Sequence, residues 1–136
     1  MDYDNPWLYN GEVFTSDMIG ENYGFVYLLE NIIKGKKYIG KKFFYSQKTK
    51  VLKGKKKKYL AESDWKGYYG SNKNLLSDVV ESGKENIKRT ILKLCKNKTS
   101  TNYFELKEQI LNDVLMDMGY YNEFIGTRIS GKFIYE

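Results

Sequence analysis

Two short segments with the composition of β-strands, one soon after the other, place the strongest constraint on how this chain folds. The first, GFVYLLE, begins at Gly24, and the second, KYIGKKFFY, begins at Lys37. β-branched and aromatic residues at this density favour strands. The connection between them is too long for a two-residue turn, and Gly35 can supply the positive φ that closes it. The pattern predicts an antiparallel hairpin.

The rest of the chain predicts two helices and one more strand. A helix capped at Ser71 or Asn72 would end at Gly83 and present one apolar face of Leu75, Leu76, Val79 and Val80. The segment from Asn86 to Cys95 is typical of a strand. A last helix is predicted to begin near Asn102, with an apolar stripe of Phe104, Ile110, Leu111, Val114, Leu115 and Met118.

This order of elements predicts an α+β fold, with a small antiparallel three-stranded sheet flanked by helices. A length of 136 residues fits one domain, expected over residues 23–136 after an irregular N-terminal arm of residues 1–22. Residues 46–63 lack apolar periodicity and are predicted to form a lysine-rich loop. A loop of that length usually has a function or is locally disordered.

The residue types that are absent limit the chemistry. The chain has no His and one Cys, Cys95, which excludes a His-based triad and the usual zinc site. A metal would be bound by carboxylates, carbonyls and water, which suits a hard ion such as Mg²⁺. Because the sequence shows neither a long apolar run nor a signal-peptide pattern, we expect a cytoplasmic protein without membrane contact.

Positive charge is concentrated in one block of the sequence. The net charge is +6, 12 lysines lie between Lys34 and Lys58, and no acidic residue lies between Glu30 and Glu62. Aromatic residues are interleaved with these lysines, so the block offers both phosphate neutralisation and flat rings. A solvated lysine loop and a nuclear localisation run are the alternatives. Nucleic acid is the partner that we expect.

Two strand motifs resemble those of the GIY-YIG nucleases. They are Gly24-Phe25-Val26-Tyr27 and Tyr38-Ile39-Gly40. The second matches the family letter for letter, whereas the first has Phe25 where the family usually has Gly. The strings from Tyr38 to Phe44 and from Ser63 to Ser71 are similar, within that family, to the small phage-encoded Seg-like homing endonucleases.

The resemblance implies hydrolysis of DNA phosphodiester bonds with Mg²⁺ or Mn²⁺. It also implies that Tyr27 acts as the general base, or relays a proton to it, with Tyr38 beside it if the strand register allows. Nearby lysines and the metal would have to lower the pKa of Tyr27 from its usual value of about 10. Packing across the strands is the alternative role for both tyrosines.

The same resemblance implies that Glu105 binds the metal, with Glu108 as the fallback. The alternative is a capping box, in which Glu105 and Asn102 would only satisfy the first turn of the helix. Asn122 would position the base or the metal-bound water, or would simply be a turn residue.

The family's phosphate-binding arginine follows the second motif, but neither Arg89 nor Arg128 lies there. Lysine would have to replace it as a point charge. Lys42 is the first choice, followed by Lys48 and Lys66.

Nucleic-acid contacts are predicted from the basic block and the segment after it. Trp65, Tyr68 and Tyr69 are either stacking platforms or core aromatics, and Ser71 lies at a helix N-terminus that can bind phosphate. The residues assigned to nucleic-acid binding are Lys41, Lys48, Lys50, Lys55, Lys56, Lys57, Lys58, Trp65, Lys66, Tyr69 and Ser71.

The resulting hypothesis is a phage-encoded, Mg²⁺-dependent DNA endonuclease that nicks or cuts DNA in the cytoplasm of a host cell. The alternative is a catalytically inactive nucleic-acid-binding module of the same fold. A basic protein that only coats nucleic acid would need neither Tyr27 nor Glu105. The sequence is also compatible with a homo-oligomer.

Overall fold

The computed structural model describes residues 3–126, 131 and 134–135. The α+β class is confirmed. Short 3₁₀ turns connect several of the regular elements, among them one at Trp65–Gly67. Within the described residues, the elements in chain order are β1 (Leu8–Tyr9), β2 (Glu12–Val13), β3 (Gly24–Asn31), β4 (Lys36–Phe43), β5 (Tyr45–Leu52), β6 (Lys55–Glu62), α1 (Lys73–Ser82), β7 (Ile87–Cys95) and α2 (Lys98–Leu111).

The main sheet has five strands in the order β2-β1-β7-β3-β4. The predicted hairpin is present as β3 and β4, and the predicted third strand is β7, antiparallel to β3. The prediction of a three-stranded antiparallel sheet is wrong, because the N-terminal arm adds β2 and also β1, which is parallel to β7. Strands of two residues have no periodicity that a sequence pattern could reveal.

Alternation along β3 sends its side chains into two separate cores. Phe25, Tyr27 and Leu29 face α1 and the N-terminal arm, from which Trp7 and Phe14 are completely buried. The arm that was predicted to be irregular is therefore part of the core. The opposite face of the sheet packs on α2 in a smaller cluster of Val26, Ile39, Cys95, Phe104 and Val114.

The predicted loop of residues 46–63 is instead a second hairpin, β5–β6, which we call the ribbon. Its turn residues Lys53 and Gly54 both have positive φ, 51° and 77°. Every residue from Gln47 to Leu60 is exposed. Because neither face of the ribbon is buried, its sequence lacks the apolar alternation that would have predicted strands.

Helix α1 begins and ends where the sequence predicts. The Asn72 Oδ1 atom accepts a hydrogen bond from the Leu75 N–H at 3.0 Å, and the helix stops at Gly83, whose φ is 91°. Leu75 and Val79 are buried, whereas the residue after each of them is exposed. The buried face is therefore narrower than predicted.

Helix α2 begins earlier than predicted. Asn97 is its N-cap and accepts a hydrogen bond from the Ser100 N–H at 2.7 Å. Asn102 consequently lies inside the helix, so the capping-box alternative for Glu105 is excluded. Helix α2 stops at Leu111, and the predicted apolar stripe is only partly buried: Phe104 and Val114 are covered, and Ile110, Leu111, Leu115 and Met118 are exposed.

The described residues form no helix with both the length and the apolar character that crossing a membrane requires.

Candidate functional site

Tyr27 and Tyr38 lie together on the sheet face that packs against α1 and the N-terminal arm. Their ring centroids are 6.2 Å apart. Gly40, which lies opposite Tyr27, makes room for both: a Cβ there would be 2.5 Å from the Tyr27 hydroxyl and 2.8 Å from the Tyr38 ring. The register therefore brings the two tyrosines onto one face, and their packing requires the glycine of the second motif.

A third tyrosine, Tyr68, completes this aromatic group. Its ring meets that of Tyr27 edge to face, with centroids 6.1 Å apart. Tyr68 directly follows the 3₁₀ turn at Trp65–Gly67. Tyr68 is absent from the predicted site residues, which include its neighbours Trp65 and Tyr69, because spacing cannot show which side chain leaves a 3₁₀ turn toward the sheet.

Lys42 is the cation of this group. Its Nζ lies 4.1 Å from the centroid of the Tyr68 ring and 2.6 Å from Oδ1 of Asp64. The hydrogen bond from Lys42 holds the pKa of Asp64 below its usual value. The Asp64 side chain is largely exposed, so solvent screens this ion pair.

The pKa values of the two motif tyrosines are raised, contrary to expectation. Burial raises the pKa of Tyr27 well above 10, and the neighbouring Tyr68 and Tyr38 add to this rise. Burial also raises the pKa of Tyr38, although hydrogen bonding to Ser71 offsets part of the effect. Two of the lysines that could have lowered the pKa of Tyr27 pair with carboxylates instead: Lys34 pairs with carboxylates of α1, and Lys42 pairs with Asp64.

Glu105 approaches the tyrosines from α2. Its carboxylate contributes to the raised pKa of both Tyr27 and Tyr38, so it lies within electrostatic range of both. Its Oε1 is 3.9 Å from Nζ of Lys41, which also hydrogen-bonds to the side chain of Asn102. Burial raises the pKa of Glu105, while Lys41 acts in the opposite direction.

The donor set around Glu105 suits a hydrated hard cation. Its side chain is 18% exposed, and no hydrogen bond to the carboxylate is found within residues 3–126. The part of the chain that the structure describes contains no cluster of three or more acidic, His or Cys residues. A lone, partly desolvated carboxylate fits Mg²⁺ or Mn²⁺, because Mg²⁺ commonly binds one or two carboxylates and keeps several waters. The fallback ligand Glu108 instead accepts a hydrogen bond from Asn112.

Arg89 is a structural residue and does not replace the missing phosphate-binding arginine. It is fully buried, and its guanidinium donates to the carbonyls of Lys66 at 2.7 Å, Tyr68 at 2.9 Å and Asn5 at 3.0 Å. These bonds tie the loop that carries Tyr68 to the N-terminal arm. Arg128 lies outside the described residues.

Asn122 holds the edge strand of the main sheet. Its Oδ1 accepts from the Ile39 N–H at 3.1 Å and its Nδ2 donates to the Ile39 carbonyl at 2.8 Å. Gln109 donates to the same carbonyl at 3.0 Å. Both amides are buried, so the expected role of Asn122 beside the base or metal water is replaced by positioning of β4. Gln109 is not among the site residues predicted from sequence. The only sequence feature that could have indicated its role is a polar residue between apolar positions of a helix.

The residues predicted to bind nucleic acid separate into a buried pair and a remainder that is exposed or partly exposed. Trp65 is 0% exposed and Tyr69 is 6% exposed, so the prediction that they stack on bases is wrong. Ser71 is exposed beside Tyr38, and Lys66 is exposed on its 3₁₀ turn. Lys41 lies next to Glu105. All six ribbon lysines assigned to nucleic-acid binding are exposed: Lys48, Lys50, Lys55, Lys56, Lys57 and Lys58.

Comparison with known proteins gives a family and one relative. The family described as "Putative endonuclease segE, GIY-YIG domain" matches residues 7–125. A protein of Enterobacteria phage T4, described as "Putative endonuclease segE", is 35% identical over 101 residues, which are 74% of this chain and 40% of that protein. The chain thus spans about two fifths of the length of this curated relative. No solved structure matches the chain. The chain belongs to the GIY-YIG endonuclease family, as the two strand motifs predicted, and to its SegE-like branch, as the strings from Tyr38 to Phe44 and from Ser63 to Ser71 predicted.

Proposed function

We propose that this domain is a DNA endonuclease that hydrolyses phosphodiester bonds with Mg²⁺ or Mn²⁺. One arrangement carries the proposal: the two motif tyrosines pack around Gly40, Lys42 contacts the Tyr68 ring beside them, and the partly buried Glu105 carboxylate acts electrostatically on both motif tyrosines. Hydrolysis needs a way to take a proton from water and positive charge beside the phosphate. These side chains supply both.

Glu105 is the proposed metal ligand. When bound there, the ion would neutralise phosphate charge and acidify a coordinated water. The carboxylate must be ionised to bind the ion, so its raised pKa moves the acid limit of activity upward from the usual range of a glutamate. Lys41 would hold the carboxylate in place from the other side.

Tyr27 is the proposed general base. Because burial raises its pKa well above 10, only a small fraction is phenolate near neutral pH. A base of this kind makes the reaction faster as the pH rises. Tyr38 is less deeply buried, and we propose that its hydroxyl donates a hydrogen bond to a phosphate oxygen.

Lys42 is the proposed contact to the scissile phosphate. Among the three lysines considered for this role, Lys42 alone has a contact with the tyrosine group, through the ring of Tyr68. Lys66 instead lies 5.7 Å from the rings of Tyr3 and Trp65, and Lys48 lies on the ribbon. DNA would displace Asp64 from Lys42.

Nicking of supercoiled plasmid with Mg²⁺ and with chelator tests the proposal, with DNA binding measured in chelator. The proposal predicts binding in both conditions and nicking with Mg²⁺ alone. Binding without nicking under any metal or pH tested would support the second candidate, a catalytically inactive DNA-binding module. The raised pKa of Tyr27 is the observation that favours that alternative.

A further inference from the structure

The ribbon is an arm that projects from the domain. Its strands are eight residues each, so at a rise of roughly 3.3 Å per residue it is roughly 26 Å long. Phe44, directly before it, is completely buried, and Ser63, directly after it, donates its N–H to the Phe44 carbonyl at 2.7 Å. The base of the ribbon is therefore anchored, although every residue from Gln47 to Leu60 is exposed.

The two faces of the ribbon differ in chemistry. Residues directly opposite in an antiparallel pair share a face. One face carries four lysines, an aromatic residue and an apolar residue: Lys48, Lys50, Lys55, Lys57, Tyr59 and Leu52. The other face carries two lysines together with hydrogen-bonding and apolar groups: Lys56, Lys58, Gln47, Thr49, Val51 and Leu60.

The ribbon carries closely spaced positive charges that an anionic partner would neutralise. Lys50 lies directly opposite Lys57, and like charges in that position destabilise a strand pair. No acidic residue lies between Glu30 and Glu62 to compensate for them. An isolated two-stranded hairpin is also only marginally stable in water. Phosphates on both sides of the ribbon would relieve the repulsion.

We propose that the ribbon enters the major groove of duplex DNA. The major groove is about 12 Å wide and admits a two-stranded ribbon. The face with Gln47, Thr49 and Val51 has residue types that contact base edges and thymine methyl groups, and the long lysines of the other face can reach the phosphates. Single strands are a poorer fit, because Tyr59 is the only ring between Gln47 and Leu60.

This inference rests on the proposed action on DNA, and its test measures binding alone, in chelator. The probes are one duplex, the same duplex with bulky groups on cytosine C5 in the major groove, and the duplex filled with the minor-groove ligand netropsin. We expect the C5 groups to weaken binding at least about tenfold, and netropsin to change it less than about twofold. Insensitivity to C5 groups, sensitivity to netropsin, or equal affinity for single-stranded DNA would overturn the inference.

Two variants connect the effect to the ribbon. Replacing residues 47–60 by a short Gly-Ser turn should abolish the sensitivity to C5 groups and leave the melting temperature within a few degrees, because those residues are all exposed. Lys50→Gln with Lys57→Gln should lower the slope of log affinity against log salt by at most about 1.8, whereas Lys88→Gln with Lys96→Gln, a matched loss of charge on exposed residues of the domain, should change it less.

An unchanged slope in the ribbon pair, or groove sensitivity that survives removal of the ribbon, would also contradict the inference. Plasmid nicking without major-groove sensitivity would leave the endonuclease proposal intact and remove only this inference. Major-groove binding without nicking would support this inference and contradict the endonuclease proposal.

Discussion

Hairpin β3–β4 and the ribbon are the same secondary structure in opposite surroundings. Each consists of two antiparallel strands of eight residues, and each turn contains a glycine with positive φ, Gly35 and Gly54 respectively. In β3 most side chains are buried, and β4 carries Tyr38 and Gly40 against them. In the ribbon, nothing from Gln47 to Leu60 is covered.

The difference shows that strand pairing alone does not determine whether the side chains of a hairpin are fixed in a core or available to a partner. The buried hairpin is stabilised by two cores, which fix Tyr27 and Tyr38 in one relative position. The ribbon has only its own backbone bonds and an anchored base, so its side chains stay available to a partner. We therefore expect bond cleavage to depend on the hairpin and DNA affinity to depend on the ribbon.

The largest effect is expected at Glu105. Glu105→Gln keeps the size of the side chain but removes its charge, so cleavage should fall by about 10³-fold, as expected for several kcal/mol of lost metal-dependent stabilisation. Binding measured in chelator should change little. Glu81→Gln on the exposed face of α1 is the matched control and should cleave normally. Normal cleavage by Glu105→Gln, with loss in Glu108→Gln, would move the metal to the fallback ligand.

Tyr27→Phe should slow single-turnover cleavage by about 10²-fold or more, the scale of general-base loss. The ring and its packing against Tyr38 remain, so the melting temperature should shift by only a few degrees. A variant that melts much earlier but cleaves at the normal rate when folded would make Tyr27 a packing residue.

The pH profile sharpens the same assignment. With protein and metal saturating, log rate should rise by about one per pH unit between pH 7 and 9 without a plateau, because the pKa of Tyr27 lies well above 10. On the acid side, the metal-dependent rate should be lost at a higher pH than an ordinary glutamate would give, because burial raises the pKa of Glu105. A plateau below pH 8 that persists in Tyr27→Phe would assign the base to another group.

Two glycine substitutions compare the hairpins directly. A Cβ at Gly40 would clash with the buried Tyr27 ring, so Gly40→Ala should destabilise the domain by about 1–3 kcal/mol and slow cleavage. Gly54→Ala meets no neighbouring atom, and its strain at positive φ is confined to an exposed turn. Its effect on global unfolding should be smaller, since the ribbon can open locally. Equal losses of stability would mean that the ribbon unfolds together with the core.

The smallest effect on chemistry is expected from the ribbon. Replacing Lys55, Lys56, Lys57 and Lys58 by Gln should lower the salt slope of binding by at most about 3.6, since each phosphate contact contributes about 0.9. The single-turnover rate at saturating protein should change by less than about twofold. A collapsed rate at saturation would show that one of these lysines performs the role proposed for Lys42.

The parts of the fold that bury an apolar pattern were predictable from sequence. The β3–β4 hairpin, α1 with its Asn72 cap, and β7 all follow from periodicity and capping residues. The strands β1 and β2 are too short for a period, and the ribbon has no buried face. In both cases the backbone pairs without leaving an apolar signature.

The site, too, has features that the sequence shows and features that it does not. The motif tyrosines, Lys42 and Glu105 were identifiable by type and order. Their environment was not, because the raised pKa of Tyr27 comes first from burial and then from neighbours distant in sequence such as Tyr68. For the same reason, the sequence could not show that Trp65 is core, or that Asn122 binds the backbone of Ile39.

A double-mutant cycle between Tyr27→Phe and the fourfold ribbon lysine variant tests the separation of cleavage from affinity most directly. Single-turnover rates at saturating protein and affinities in chelator are measured for the wild type, the two variants and their combination. The account predicts that the combined variant cleaves at the rate of Tyr27→Phe and binds like the lysine variant, with coupling within about 0.5 kcal/mol in each quantity. A larger coupling in the cleavage rate would show that the ribbon takes part in bond cleavage and would contradict the account.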